Sequence, residues 1–158
     1  MRLASEECWS RLRSAEHGIL CTAGPHDLID AVPACFAVVS ERIVTPIDRI
    51  KPKATTDLGR LRNLDRNGTA TLICDEWNGR DWSQLWWVRA RLIRRTTGYD
   101  TGGSVEADER ALREKYVQYR EAEFVELVVF DVVSLIGWAA AAQAASPTGH
   151  VEEIEPLK

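Results

Sequence analysis

Leu85-Trp86-Trp87-Val88-Arg89-Ala90-Arg91-Leu92-Ile93-Arg94 alternates with the period of an extended chain. Trp86, Val88, Ala90 and Leu92 fall on one side, and Trp87, Arg89 and Arg91 on the other, as in a strand with one covered face. The first set is the core side. Trp87 standing beside Arg89 on the polar side calls for a partner surface or a ligand, because aromatic and guanidinium groups are favoured in such contacts.

The segments around this strand read as further strands with helices between them. Thr69 to Asp75 is apolar and extended, and Asn78-Gly79 marks a turn in the polar loop that follows. Upstream, Asp57 to Arg66 is a helix with Leu58, Leu61 and Leu64 as its buried stripe, and Asn67-Gly68 ends it. Arg42 to Asp48 is a strand. Gly18 to Ala23 is another, closed by Gly24-Pro25. Ser5 to Glu16 is a helix capped by Ser5, with Glu6 and Glu7 at the positive end of its dipole and Cys8, Leu12, Ala15 and Ile19 facing the core. Downstream, Gly102-Gly103 breaks the chain before a helix over Ser104–Arg120. Its apolar side is Val105, Leu112, Tyr116 and Tyr119, and Glu106–Arg110 and Glu109–Arg113 are i,i+4 pairs. Val125 to Val133 is the last strand. The order α-β-β-β-α-β-β-α-β predicts a mainly antiparallel sheet or barrel with flanking helices.

Ile29 to Val39 reads as one strand, apolar on both faces. Ala31, Pro33, Cys35 and Ala37 are small and share a side; Val32, Phe36 and Val38 are larger and share the other. The large side suits a barrel interior. The small side lets either a neighbouring element or a flat ring come close.

Length and composition narrow the function classes. The 158 residues suit one domain, with 45% hydrophobic and 28% charged residues. Net charge is −4 and the basic residues form no long run, which argues against a nucleic-acid partner. No apolar stretch is long enough to cross a bilayer, and the first residues lack the basic-then-apolar pattern of a secretion signal. A cytoplasmic location is expected. Cys8, Cys21, Cys35 and Cys74 are too scattered for a metal knuckle, as are His17, His26 and His150, so they read as core thiols and loop residues.

Lys51-Pro52-Lys53-Ala54-Thr55-Thr56 running into a helix at Asp57 is the strongest local signal. Two ammonium groups, two hydroxyls and a helix start lie within a few residues, and the free N–H groups of a helix start favour phosphate. Arg60, one turn on, can reach the same anion. The alternative is a solvated basic loop paired with Asp48 and Asp57.

Together these motifs resemble a known family. Ala31-Val32-Pro33-Ala34-Cys35-Phe36-Ala37, Arg42-Ile43-Val44-Thr45-Pro46-Ile47-Asp48 with Lys51-Pro52-Lys53, Leu61-Arg62-Asn63-Leu64 and Leu85-Trp86-Trp87-Val88-Arg89-Ala90 are similar to stretches of the actinobacterial, F420-dependent branch of the pyridoxamine 5′-phosphate oxidase-like split barrels. Leu112-Arg113-Glu114-Lys115-Tyr116 and Gly137-Trp138 complete the match.

The resemblance implies a six-stranded antiparallel split β-barrel over residues 1–140, a tail over 141–158, and a homodimer with cofactor sites between subunits. The cofactor ring would lie near Pro33, Cys35 and Thr45, and its phosphate at Lys51, Lys53 and Arg60. Trp87 and Arg89 would come from the partner subunit. The implied activity is an oxidoreductase passing a hydride between the deazaflavin F420 and a small organic substrate. An FMN enzyme of the pyridoxamine 5′-phosphate oxidase type and a non-catalytic flavin carrier are the alternatives. The reading assigns no catalytic side chain.

Overall fold

The computed structural model describes residues 1–48, 58–95 and 104–140. The basic segment with Lys51 and Lys53, and the tail 141–158, lie outside the described residues. Three helices, α1 (Ser5–Ser14), α2 (Gly59–Asn67) and α3 (Val105–Lys115), accompany seven strands. These are β1 (Gly18–Ala23), β2 (Ile29–Ala34), β3 (Ala37–Val39), β4 (Arg42–Asp48), β5 (Thr69–Glu76), β6 (Trp86–Arg94) and β7 (Phe124–Ala139). All neighbours in the sheet, ordered β2-β1-β5-β6-β7-β4-β3, are antiparallel. The architecture is a split β-barrel.

The expected single strand Ile29–Val39 is two strands, which raises the count from six to seven. Its halves occupy opposite edges of the sheet, so this short segment carries the chain from one edge to the other and closes the barrel. The break falls at Cys35–Phe36. There the Tyr116 hydroxyl oxygen accepts the Phe36 N–H at 2.9 Å, and its own O–H reaches the Phe36 carbonyl at 2.8 Å or the Glu16 carbonyl at 2.9 Å. Backbone groups bonded to a side chain leave the ladder, and the strand turns.

Other boundaries moved as well: α1 ends at Ser14 rather than Glu16, and α2 begins at Gly59, with Leu58 extended before it, rather than at Asp57. The last strand runs through Ser134 and Gly137 to Ala139, pairing with β4 along its first half and β6 along its second. The expected helix over Ser104–Arg120 stops at Lys115 and continues as a 3₁₀ turn over Val117–Tyr119. Ser104 caps α3, its Oγ accepting the Ala107 N–H at 3.1 Å. Ser5, by contrast, is the first residue of α1 rather than its cap; Ala4 holds that position with no side-chain bond. Gly68 ends α2 in the left-handed conformation at φ 70°, which Gly adopts without strain.

The predicted alternation of β6 holds. Val88, Ala90 and Leu92 are buried against Leu12, Leu20 and Leu72, while Trp86 packs against this core from its margin. Each fully buried Leu contributes about 1.5–3 kcal/mol. A second cluster joins α3 to β3, β4 and β7 through Leu112, Tyr119, Ala37, Val44 and Val129. It fixes the end of the barrel where the candidate site lies.

Candidate functional site

A recess of about 70 Å³ opens where the β2–β3 break, the end of β4, the start of α2 and the 3₁₀ turn after α3 converge. Pro33, Ala34, Cys35, Thr45, Pro46, Asp48, Arg60 and Tyr119 line it. Four of the predicted site residues, Pro33, Cys35, Thr45 and Arg60, are thus brought together from three separate stretches of sequence. Pro33 is exposed and forms the rim, whereas Thr45 is buried.

Asp48 stands two residues beyond Pro46 on β4 and so shares its side of the strand, at the recess. Ile47 pairs with Glu126 but Asp48 pairs with Phe124, so Val125 is left out of register. The extra residue belongs to β7, so it is that strand the bulge bends. Asp48 is 3% exposed, and its Oδ2 accepts the Tyr119 hydroxyl at 3.0 Å. Tyr119 is itself clamped edge-on between the rings of Tyr116 and Phe124. Burial first, then the neighbouring Cys35 and Asp48, holds the Tyr119 hydroxyl far above its ordinary pKa. Tyr119 is therefore a fixed neutral donor. Burial draws the Arg60 pKa down while Asp48 opposes the change, and an arginine stays cationic under either influence.

Lys115 is a neighbour of Cys35, one of the lining residues. Its Nζ is buried, has no hydrogen-bond partner among the described residues, and lies 4.0 Å from the centroid of the Phe36 ring. Burial lowers its pKa to about 8, and Cys74 and Cys35 act the other way.

Trp87 and Arg89 are not in the recess of their own chain. They lie on the outward face of β6, in cross-strand rows with other half-exposed groups. One row runs Pro33–Ile19–Ile73–Arg89–Ile136 across five strands. Three strand spacings of about 4.8 Å separate Pro33 from Arg89, roughly 14 Å along a continuous outward surface.

Asp48 entered the sequence reading only as a counter-charge for the lysines, and Tyr119 only as part of a helix's apolar side. The signal for Asp48 was a carboxylate at the end of an otherwise apolar strand beside the basic segment. Nothing local marked Tyr119, because its role depends on the turn after α3.

No family model matches the chain, and no curated protein matches it. Solved structures do. The conserved hypothetical protein Rv2991 from Mycobacterium tuberculosis superposes at a TM-score of 0.67 with 13% identity, over 93% of this chain and 95% of that one. An FAD-binding protein from Mesorhizobium loti gives 0.59 with 17% identity, over 87% and 93%. A Corynebacterium glutamicum protein provisionally named a pyridoxamine 5′-phosphate oxidase gives 0.54 with 17% identity, over 87% and 94%. At these identities the likeness establishes the fold.

Proposed function

We propose that this chain binds a flavin-type cofactor, F420 ahead of FMN, and works as a homodimeric oxidoreductase on a small organic substrate. The observation that carries the reading is the recess. It sets Pro33, Cys35 and Thr45, the residues proposed to face the ring, directly beside Arg60 at the start of α2. Small side chains at Ala31, Pro33 and Ala34 leave room for a flat ring to approach the backbone. Lys51 and Lys53, eight and six residues before α2, supply charge for a phosphate, and the N–H groups at the helix start add to it. The FAD-binding and pyridoxamine phosphate oxidase names carried by barrels of the same shape support this class of ligand.

The bound cofactor would supply the hydride chemistry, and the protein placement and electrostatics. The β2–β3 break orients the ring, Thr45 offers a hydroxyl, Tyr119 holds Asp48 in place, and the recess keeps water from the ring edge. The outward face with Ile19, Ile73, Trp87, Arg89 and Ile136 is proposed as the subunit contact. Folded on its copy about a two-fold axis, it would bring Trp87 and Arg89 to the partner's recess. Arg89 and the exposed Arg91 favour F420, whose tail is the more anionic. Residues 1–140 would form the cofactor-binding unit. All four cysteines are thiols, in keeping with the reducing cytoplasm.

The test is the absorption spectrum of the purified protein, followed by fluorescence titration with F420 and FMN. Replacing Lys51 and Lys53 together with Ala is expected to weaken binding ten-fold or more, since a bond to a charged group contributes about 1.5–3 kcal/mol. Failure of both cofactors to bind overturns the reading. Binding without turnover across a panel of acceptors would favour the carrier alternative.

A further inference from the structure

A buried carboxylate is the wrong lining for a phosphate pocket. A phosphate entering the recess would meet Asp48 where solvent screens little, and like charges held close in such surroundings repel strongly. Part of the Arg60 charge is already answered by Asp48. The space is also small, about 70 Å³, or little more than two waters at roughly 30 Å³ each. The edge of a planar ring fits such a space; a whole tricyclic ring does not. What the lining offers that edge is an anionic acceptor at Asp48 and a donor fork at Arg60. Pro33, Ala34 and Pro46, none of which has a polar side chain, surround them.

We propose that Asp48 determines ligand specificity by accepting a ring N–H in the recess, while Arg60 donates to the carbonyl beside it. The matching ligand chemistry is an imide edge, an N–H flanked by two carbonyls, as in the pyrimidinedione ring of flavins and deazaflavins. Tyr119 is a positioning residue: its O–H, donated to Oδ2, holds the carboxylate in one orientation. A carboxylate has about four lone-pair sites, so it can take a ligand N–H as well. Strand alternation sets the group on the same side of β4 as Pro46, which lines the recess too. The phosphate is then left to Lys51 and Lys53, and Arg60, which the family resemblance gave to the phosphate, serves the ring instead. This inference rests on the cofactor reading above and assigns a separate part of it, the recognition of the ring.

The experiment compares whichever of FMN and F420 binds with its N3-methyl derivative, by fluorescence titration of the intact protein. Methylation removes the N–H and leaves the phosphate alone. The expected result is binding weakened ten-fold or more, as for loss of a bond to a charged acceptor. Asp48→Asn, with its amide oxygen taken by Tyr119, presents NH₂ to the ligand and is expected to erase the difference between the two ligands. Equal affinity of the parent and methylated cofactors for the unmodified protein overturns the assignment and leaves the cofactor reading standing. No binding of FMN or F420 at all overturns both. Because the ligand comparison needs no variant, a misfolded Asp48→Asn protein does not rescue the proposal.

Discussion

The Tyr119 hydroxyl donates to Asp48 Oδ2 at 3.0 Å, joining the turn after α3 to the end of β4 across 71 positions of sequence. Both residues are almost fully buried, so the bond forms where solvent cannot replace it. Tyr119→Phe removes a donor from a buried carboxylate while keeping the ring packed on Phe124. It is expected to cost about 1.5–3 kcal/mol, measured as a lowered urea midpoint with an unchanged slope. A loss below about 0.5 kcal/mol, the range of ordinary surface changes, would show that Asp48 is held by other means.

Lys115 makes stability depend on alkaline pH. Its folded-state pKa, about 8, lies below the ordinary 10.5, so the unfolded chain binds more protons between those values. The Lys115 contribution to stability is then expected to rise as pH climbs from about 8 toward 10.5, while Cys74, Tyr116 and Tyr119, held protonated by burial, act the other way in the upper part of that window. The Phe36 ring face offsets part of the penalty. Lys115→Met should flatten this slope and stabilise the protein at pH 7. Urea midpoints taken at intervals from pH 7 to 10.5 check it, and parallel profiles for the two proteins would refute it.

Gly18 is required by close packing. A Cβ there would stand 2.8 Å from both Cys74 Sγ and Leu72 Cδ1 and 3.0 Å from the Ile73 carbonyl oxygen. Leu72 and Cys74 are buried in the core and cannot swing away. Gly18→Ala is expected to destabilise by about 1–3 kcal/mol, the usual cost of overpacking. In a chain of this size each kcal/mol lowers the melting temperature by roughly 2–4 °C. An unchanged midpoint in calorimetry would contradict it.

The outward face of β6 predicts assembly. Light scattering of the unmodified protein is expected to give twice the 17.7 kDa chain mass. Trp87→Ala combined with Arg89→Glu should shift the mass toward one chain, and cofactor affinity should fall with it because those side chains are proposed to complete the partner's site. Dissociation without any loss of affinity would remove them from the site while leaving them in the interface.

Strand identity was legible locally because a period of two shows wherever one face of a strand is covered. Val88, Ala90 and Leu92 announced the inner face of β6 without any knowledge of what they pack against. Pro33, Cys35 and Arg60 were nameable for a similar reason, since small residues on a strand and a cation at a helix start carry their chemistry in their own side chains, whereas Thr45 came only from the family resemblance.

The break at Cys35–Phe36 and the Asp48–Tyr119 contact were decided only in three dimensions. Each depends on α3 and the turn after it returning to a strand far away in sequence, where a tyrosine hydroxyl competes for a backbone or carboxylate partner. Local preference cannot register that competition, because its energy appears only when both groups leave water together. The sequence therefore established which surfaces are apolar, extended and charged, and tertiary packing settled which polar groups meet.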